Sequence, residues 1–109
     1  MDEEPHIIKV GDVEIDTIAF TVSRRGTGIL DLTRREYDLL LYMLRNPDRP
    51  LSKGELLAHV WPVGTKITLN TVEVYIRYLR VKLGAPDLIR TRQGFGYVVS
   101  TVGVRHEAA

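Results

Sequence analysis

Residues 69–84 read Leu69-Asn70-Thr71-Val72-Glu73-Val74-Tyr75-Ile76-Arg77-Tyr78-Leu79-Arg80-Val81-Lys82-Leu83-Gly84, and this stretch decides the fold. Val72, Ile76, Leu79 and Leu83 recur at intervals of 4, 3 and 4, which stacks them in one stripe of an α-helix. Gly84 is the expected C-terminal stop, and Pro86 just beyond cannot continue a helix. At about 100° per residue the opposite face carries Asn70, Val74, Arg77, Tyr78 and Val81. Thr71, Tyr75, Arg80 and Lys82 fall on the flanks. Such a helix is about 22 Å long and carries an apolar stripe that must be buried by something else.

Two further helices precede it. Thr33-Arg34-Arg35-Glu36 has the pattern of a capping box, in which Thr33 accepts from the Glu36 amide and Glu36 reaches back. Tyr37, Leu40, Leu41 and Leu44 follow at helical spacing, and Asn46-Pro47 ends the run. Ser52-Lys53-Gly54-Glu55 is a second such box, followed by Leu56, Leu57 and Val60 and closed by Trp61-Pro62. Two capped helices joined by a short turn make the scaffold of a helix-turn-helix, although this much fits any small helical core.

Outward in both directions the period changes to that of strands. Ile7, Ile8 and Val10 lead into the turn Gly11-Asp12, and Val13, Ile15, Ile18, Phe20 and Val22 alternate with polar residues. Gly26-Thr27-Gly28 breaks the chain before Ile29, Leu30 and Leu32. The reading is a small antiparallel sheet with one buried face. After the long helix come Leu88-Ile89-Arg90-Thr91, then Arg92-Gln93-Gly94-Phe95-Gly96, then Tyr97-Val98-Val99, a hairpin with glycines near its tip. A hairpin after a basic helix is the order expected of a wing.

The 109 residues suffice for one domain with one core, and 44% hydrophobic with 27% charged residues is ordinary for a folded chain. There is no cysteine, so neither a disulfide framework nor a thiolate metal site is available. No apolar run is long enough to span a membrane. The acidic start, Met1-Asp2-Glu3-Glu4-Pro5, lacks the features of a signal peptide. The formal net charge of +1 conceals an asymmetry: residues 1–20 set six carboxylates against Lys9 alone, and the remainder is basic. That distribution leaves two readings open, a face suited to a polyanion or two ordinary solvated faces.

From Leu32 to Val99 the chain resembles the winged-helix effector domain of the OmpR/PhoB family of two-component response regulators. The resemblance is carried by Leu32-Thr33-Arg34-Arg35-Glu36-Tyr37 with Leu40-Leu41, by Leu51-Ser52-Lys53 with Glu55-Leu56-Leu57, and by Val60-Trp61. It continues in Val72-Glu73-Val74-Tyr75-Ile76-Arg77, Leu79-Arg80, Lys82-Leu83-Gly84 and Gly94-Phe95-Gly96-Tyr97. Each piece is weak alone; their order and spacing are specific. It implies an α+β winged helix-turn-helix: an N-terminal four-stranded antiparallel sheet, a three-helix core and a C-terminal β-hairpin wing. The domain is expected over residues 6–102, with residues 1–5 a linker remnant or flexible tail and 103–109 a flexible tail. The implied function is sequence-specific binding of double-stranded DNA by the output domain of a bacterial, cytoplasmic transcriptional regulator. The helix of residues 69–83 would enter the major groove and the wing of residues 88–99 would lie on the minor groove or backbone. The family also implies a receiver domain upstream, head-to-tail pairing on repeated sites, and RNA polymerase contact through the loop of residues 62–68. An excised effector domain is favoured over a stand-alone one.

Candidate DNA-binding residues follow, each beside its plainer alternative. Arg77 lies opposite the apolar stripe, for a base or phosphate, or as a solvated charge. Arg80 by resemblance meets a phosphate; otherwise it pairs with Glu73 or Glu36, and Lys82 reads as a solvated charge. Asn70 and Thr71 open the helix, to favour a phosphate or simply to cap it. Val74 is outward and apolar, matching a thymine methyl or standing alone on the surface. Tyr75 and Tyr78 contact DNA or pack across the wing and helix stems. Trp61 contacts the backbone through its indole N–H or belongs to the core. Thr91, Gln93 and Tyr97 sit in the wing, Tyr97 half in the core. Three departures from the family pattern bear on specificity: Tyr78 and Gln93 replace common arginines, as does Val98.

Enzymatic readings are weak. His6, His59 and His106 are far apart and lack metal-ligand spacing, and Gly94-Phe95-Gly96 precedes a strand where a phosphate loop must enter a helix. No cofactor is expected. The rival reading is a winged-helix protein-interaction module that has lost DNA binding.

Overall fold

Alternating apolar residues and tight turns fold the first third of the chain, and helical periodicity takes over after Leu32. The computed structural model describes residues 6–84 and 88–100. The elements run β1 (Ile7–Val10), β2 (Val13–Asp16), β3 (Thr21–Arg24), β4 (Gly28–Ile29), α1 (Arg34–Leu44), α2 (Lys53–Val60), α3 (Leu69–Leu83), β5 (Ile89–Arg92) and β6 (Gly96–Val99). The expected tails over 1–5 and 103–109, the domain limit at 102 and the Pro86 stop lie outside the described residues.

The four N-terminal strands form an antiparallel sheet in the order β1-β2-β3-β4, with Ile15 opposite Ile8 and Val22. Val10, Val13, Ile15 and Val22 supply its buried face. Ile18 and Phe20 do not belong to that face, contrary to the alternation; both are exposed, as is Ile29. The cause is local. Asp16 Oδ1 accepts from the amides of Ile18 and Ala19 at 3.0 Å each, closing a turn that breaks the two-residue period. Phe20 has a left-handed backbone (φ 60°), and its ring sits 5.6 Å from that of Tyr37 and beneath the Arg34 guanidinium.

The Thr33 capping box forms in both directions, with Glu36 N–H donating to Thr33 Oγ1 at 3.2 Å and Thr33 N–H to Glu36 Oε1 at 2.9 Å. The second box forms only halfway. Ser52 Oγ accepts from Glu55 N–H, but the Glu55 carboxylate turns to Tyr42 Oη and Arg49 Nη2, each at 2.7 Å. These stronger partners lie across the helix pair. The α3 stripe of Val72, Ile76, Leu79 and Leu83 is buried as expected, and Gly84 ends the helix in the left-handed conformation (φ 65°). Fully burying such side chains stabilises by roughly 1.5–3 kcal/mol each.

The β5–β6 hairpin pairs Ile89 with Val99 and Arg92 with Gly96. It is also joined to the turn before α2: Leu51 N–H donates to Tyr97 O at 2.8 Å, and Tyr97 N–H to Leu51 O at 3.0 Å. Arg24 on β3 binds the Asp12 carboxylate at 3.1 Å and the Leu83 carbonyl at 2.8 Å. The sheet is thereby tied to the C-terminus of α3, where orphan carbonyls favour a cation.

Candidate nucleic-acid interface

Burying one stripe of α3 leaves the other facing outward. Asn70, Arg77, Tyr78 and Val81 are exposed, and Val74 is half-buried. Arg77 has no hydrogen-bond or ion-pair partner among the described residues. The first turn is capped by Thr68, without a side-chain hydrogen bond, so Asn70 and Thr71 are not the caps the sequence suggested. Both stand inside the first turn, Asn70 exposed and Thr71 half-buried.

The aromatic residues form a graded series. Trp61 is buried at 8% exposure and meets the edge of Tyr75 at 5.4 Å; Tyr75 meets Tyr78 at 5.5 Å; Tyr78 reaches solvent at 46% exposure. Trp61 therefore serves the core, and Tyr75 links it to the outer ring. Edge-to-face geometry at these separations is the favoured aromatic arrangement.

Arg80 pairs with neither of the carboxylates the sequence offered it. Its guanidinium donates to the Ile89 carbonyl at 3.2 and 2.9 Å and to Thr91 Oγ1 at 2.9 Å, and it lies 5.6 Å from the Tyr97 ring centre. Neither Glu73 nor Glu36 is its partner. Glu73 pairs with Lys53, which raises the Lys53 pKa, and Glu36 accepts from Lys82 at 2.7 Å. Lys82 is thus paired with Glu36 while remaining exposed to solvent. Glu36 is only 3% exposed. Burial pushes its carboxyl up, but Lys82 and the Thr33 amide and hydroxyl outweigh this and hold it below the usual glutamate value.

On the hairpin, Thr91 and Gln93 are exposed, whereas Tyr97 is buried at 7% exposure and belongs to the core cluster. Val98, at a position where the resemblance implies an arginine, is buried as well. Arg92 is exposed, and its side chain has no partner among the described residues. By sequence Arg92 counts as a poor substitute for the family arginine, because it stands one residue before Gln93 and a one-residue shift in a strand turns the side chain to the other face; in the folded hairpin both are exposed. The tip turn is closed by Phe95 N–H on Arg92 O at 2.8 Å. Between this tip and the N-termini of α2 and α3 lies a shallow groove of about 440 Å³, bordered by Lys53, Leu69, Arg92, Gln93 and Phe95. In the loop before α3, Ile67 packs on the core and Val63 is fully exposed.

A sheet, three helices and a hairpin fixed beside an open helix face define a winged-helix transcriptional output domain. The family described as transcriptional regulatory protein, C terminal, matches residues 26–99. The chain belongs to that family, the effector domains of OmpR/PhoB-type response regulators. It is 43% identical over 96 residues to the response regulator ArlR of Staphylococcus haemolyticus, covering 85% of this chain and 43% of that protein. It thus spans less than half the length of this relative. The response regulator DrrB, an OmpR/PhoB homologue from Thermotoga maritima, matches with a TM-score of 0.77 and 25% identity over 89% of this chain and 45% of its own. The DNA-binding domain of the response regulator AdeR, solved in complex with an intercistronic region, matches with a TM-score of 0.73 and 26% identity over 88% of this chain and 99% of its own. No helix among the described residues is long and apolar enough to cross a membrane.

Proposed function

We propose that this chain binds double-stranded DNA sequence-specifically, as the output domain of a response regulator, with α3 in the major groove and the β5–β6 hairpin on the neighbouring minor groove or backbone. The observation that carries this reading is the pairing of an open α3 face, bearing unpartnered Arg77, with a hairpin held beside it by Arg80. The AdeR domain, captured on an intercistronic region, supports it. Val74 and Tyr78 face the bases and Arg77 a base or a phosphate; Asn70, Thr71 and the hairpin residues Thr91, Arg92 and Gln93 face the phosphates and minor groove. Trp61, Tyr75, Tyr97 and Arg80 act one layer behind, as supports. Because Arg80 and Lys82 are engaged within the domain, two or three phosphates are neutralised per copy, giving a log–log salt slope of roughly −2 to −3.

Two further roles belong to this reading. Val63 offers an isolated apolar contact to RNA polymerase from the 62–68 loop. A receiver domain upstream in the full-length protein governs head-to-tail pairing on repeated sites, in keeping with the greater length of ArlR.

The test is selection from a random duplex pool at two salt concentrations, beside Arg77→Ala. A repeated motif weakened by salt and by the substitution is the expected result. Absence of enrichment and of low-salt retention overturns the proposal and favours a protein-interaction module.

A further inference from the structure

The outward face of α3 is more apolar than cationic. Three basic side chains lie on the second half of the helix, but Arg80 is occupied by Ile89 and Thr91, and Lys82 by Glu36. Arg77 alone among the three is unpartnered within the described residues. Around it the face presents Val74, Tyr78 and Val81, at spacings of 4 and 3, an apolar ridge directly opposite the core stripe. Exposed apolar side chains scattered singly need no explanation, but a ridge on the surface of a reading helix does.

Tyr78 is also braced from behind. The Tyr78 ring leans on Tyr75 at 5.5 Å, and Tyr75 on the buried Trp61 at 5.4 Å. The Tyr78 ring is therefore braced through Tyr75 onto the core, which reduces the side-chain freedom it loses on contact. An aromatic carbon edge cannot make the paired hydrogen bonds that select guanine. The apolar group that the major groove offers is the C5 methyl of thymine.

Building on the DNA-binding reading above, we infer that Tyr78 and Val74 are specificity-determining residues that recognise thymine methyl groups in the major groove. Tyr75 and Trp61 are positioning residues behind Tyr78. The target is then rich in thymine where α3 lies, and its recognition there is insensitive to salt.

The experiment replaces each thymine of the selected duplex, one at a time, by deoxyuridine, which removes the methyl and leaves every hydrogen-bonding group in place. The domain itself is unchanged, so loss of folding cannot mimic the result. Each contacted methyl is expected to weaken binding about fourfold, the effect of exposing one buried methyl group. One such position should lose its uracil penalty in Tyr78→Ala, and another in Val74→Ala. Trp61→Phe, which trims the support, should reduce the penalty at the Tyr78 position without abolishing binding. Binding that persists with every uracil substitution within twofold of thymine overturns the inference while leaving DNA binding intact. Failure of the domain to bind any duplex removes the reading on which it rests.

Discussion

Replacing Gly96 by alanine should be among the most damaging single-methyl additions to this domain. A Cβ at Gly96 would lie 2.0 Å from the Leu51 carbonyl oxygen, 2.7 Å from its carbon and 2.8 Å from Ser52 Cα. All three are backbone atoms, so no side chain can swing aside. Reaching even 3.0 Å requires Leu51 and the hairpin to separate by about 1 Å, and that motion pulls on both hydrogen bonds between Leu51 and Tyr97. Each contributes about 0.5–1.5 kcal/mol. The backbone at φ 126° adds strain of about 1–3 kcal/mol for any residue with a Cβ. The expected destabilisation is therefore about 2–6 kcal/mol, a large part of the roughly 5–15 kcal/mol available to a natural domain. The melting temperature should fall by at least about 10 °C. Urea and thermal unfolding followed by circular dichroism give the value directly. Gly94→Ala is the control: it also has a positive φ (83°), but nothing lies within 4 Å of its Cβ, so it should lose only about 1–2 kcal/mol. If Gly96→Ala is no worse than Gly94→Ala, the contact between the hairpin and Leu51 does not hold the wing.

Three other outcomes are expected. Arg77→Ala should weaken specific binding by about 10–100-fold and, if the contact is to a phosphate, reduce the salt slope by about 1, as read by fluorescence anisotropy across salt concentrations. Arg80→Ala should lower affinity mainly through faster dissociation and raise amide exchange in residues 89–92, because the tie to Ile89 and Thr91 is lost; unchanged exchange there would refute the positioning role. Glu36 has a folded-state pKa below its free value of 4.5, so its contribution is present above that value and is lost as pH falls through the lower folded pKa. Wild type should accordingly lose stability below about pH 4.5, and Glu36→Gln should show a flatter acid limb in urea unfolding.

What could be read from the chain alone was whatever depends on neighbours in sequence. The α3 stripe, the Thr33 cap and the Gly84 stop are each settled within a few residues by helical period or capping chemistry. The alternation through Ile18 and Phe20 misled because one Asp16 carboxylate oxygen captures two amides and resets the phase. The partners of the charged residues were not legible for another reason. Lys82 and Glu36 stand 46 positions apart, and Arg80 finds its acceptors on the hairpin, not along its own helix. Which of Arg80, Lys82 and Arg77 remains available to a ligand is a tertiary outcome. Likewise Val98 stands where the resemblance implies an arginine, yet it is buried in the folded hairpin.

The Arg80 tie has an evolutionary consequence. It sets the pose of helix against wing through space, from the flank of the helix, by gripping a carbonyl and a hydroxyl of β5. Neither the outward residues of α3 nor the tip of the hairpin takes part in that grip. Letters on the reading face can therefore be exchanged while the hand that holds the page stays still, and a new operator preference can arise by substitutions that leave the architecture of the domain untouched.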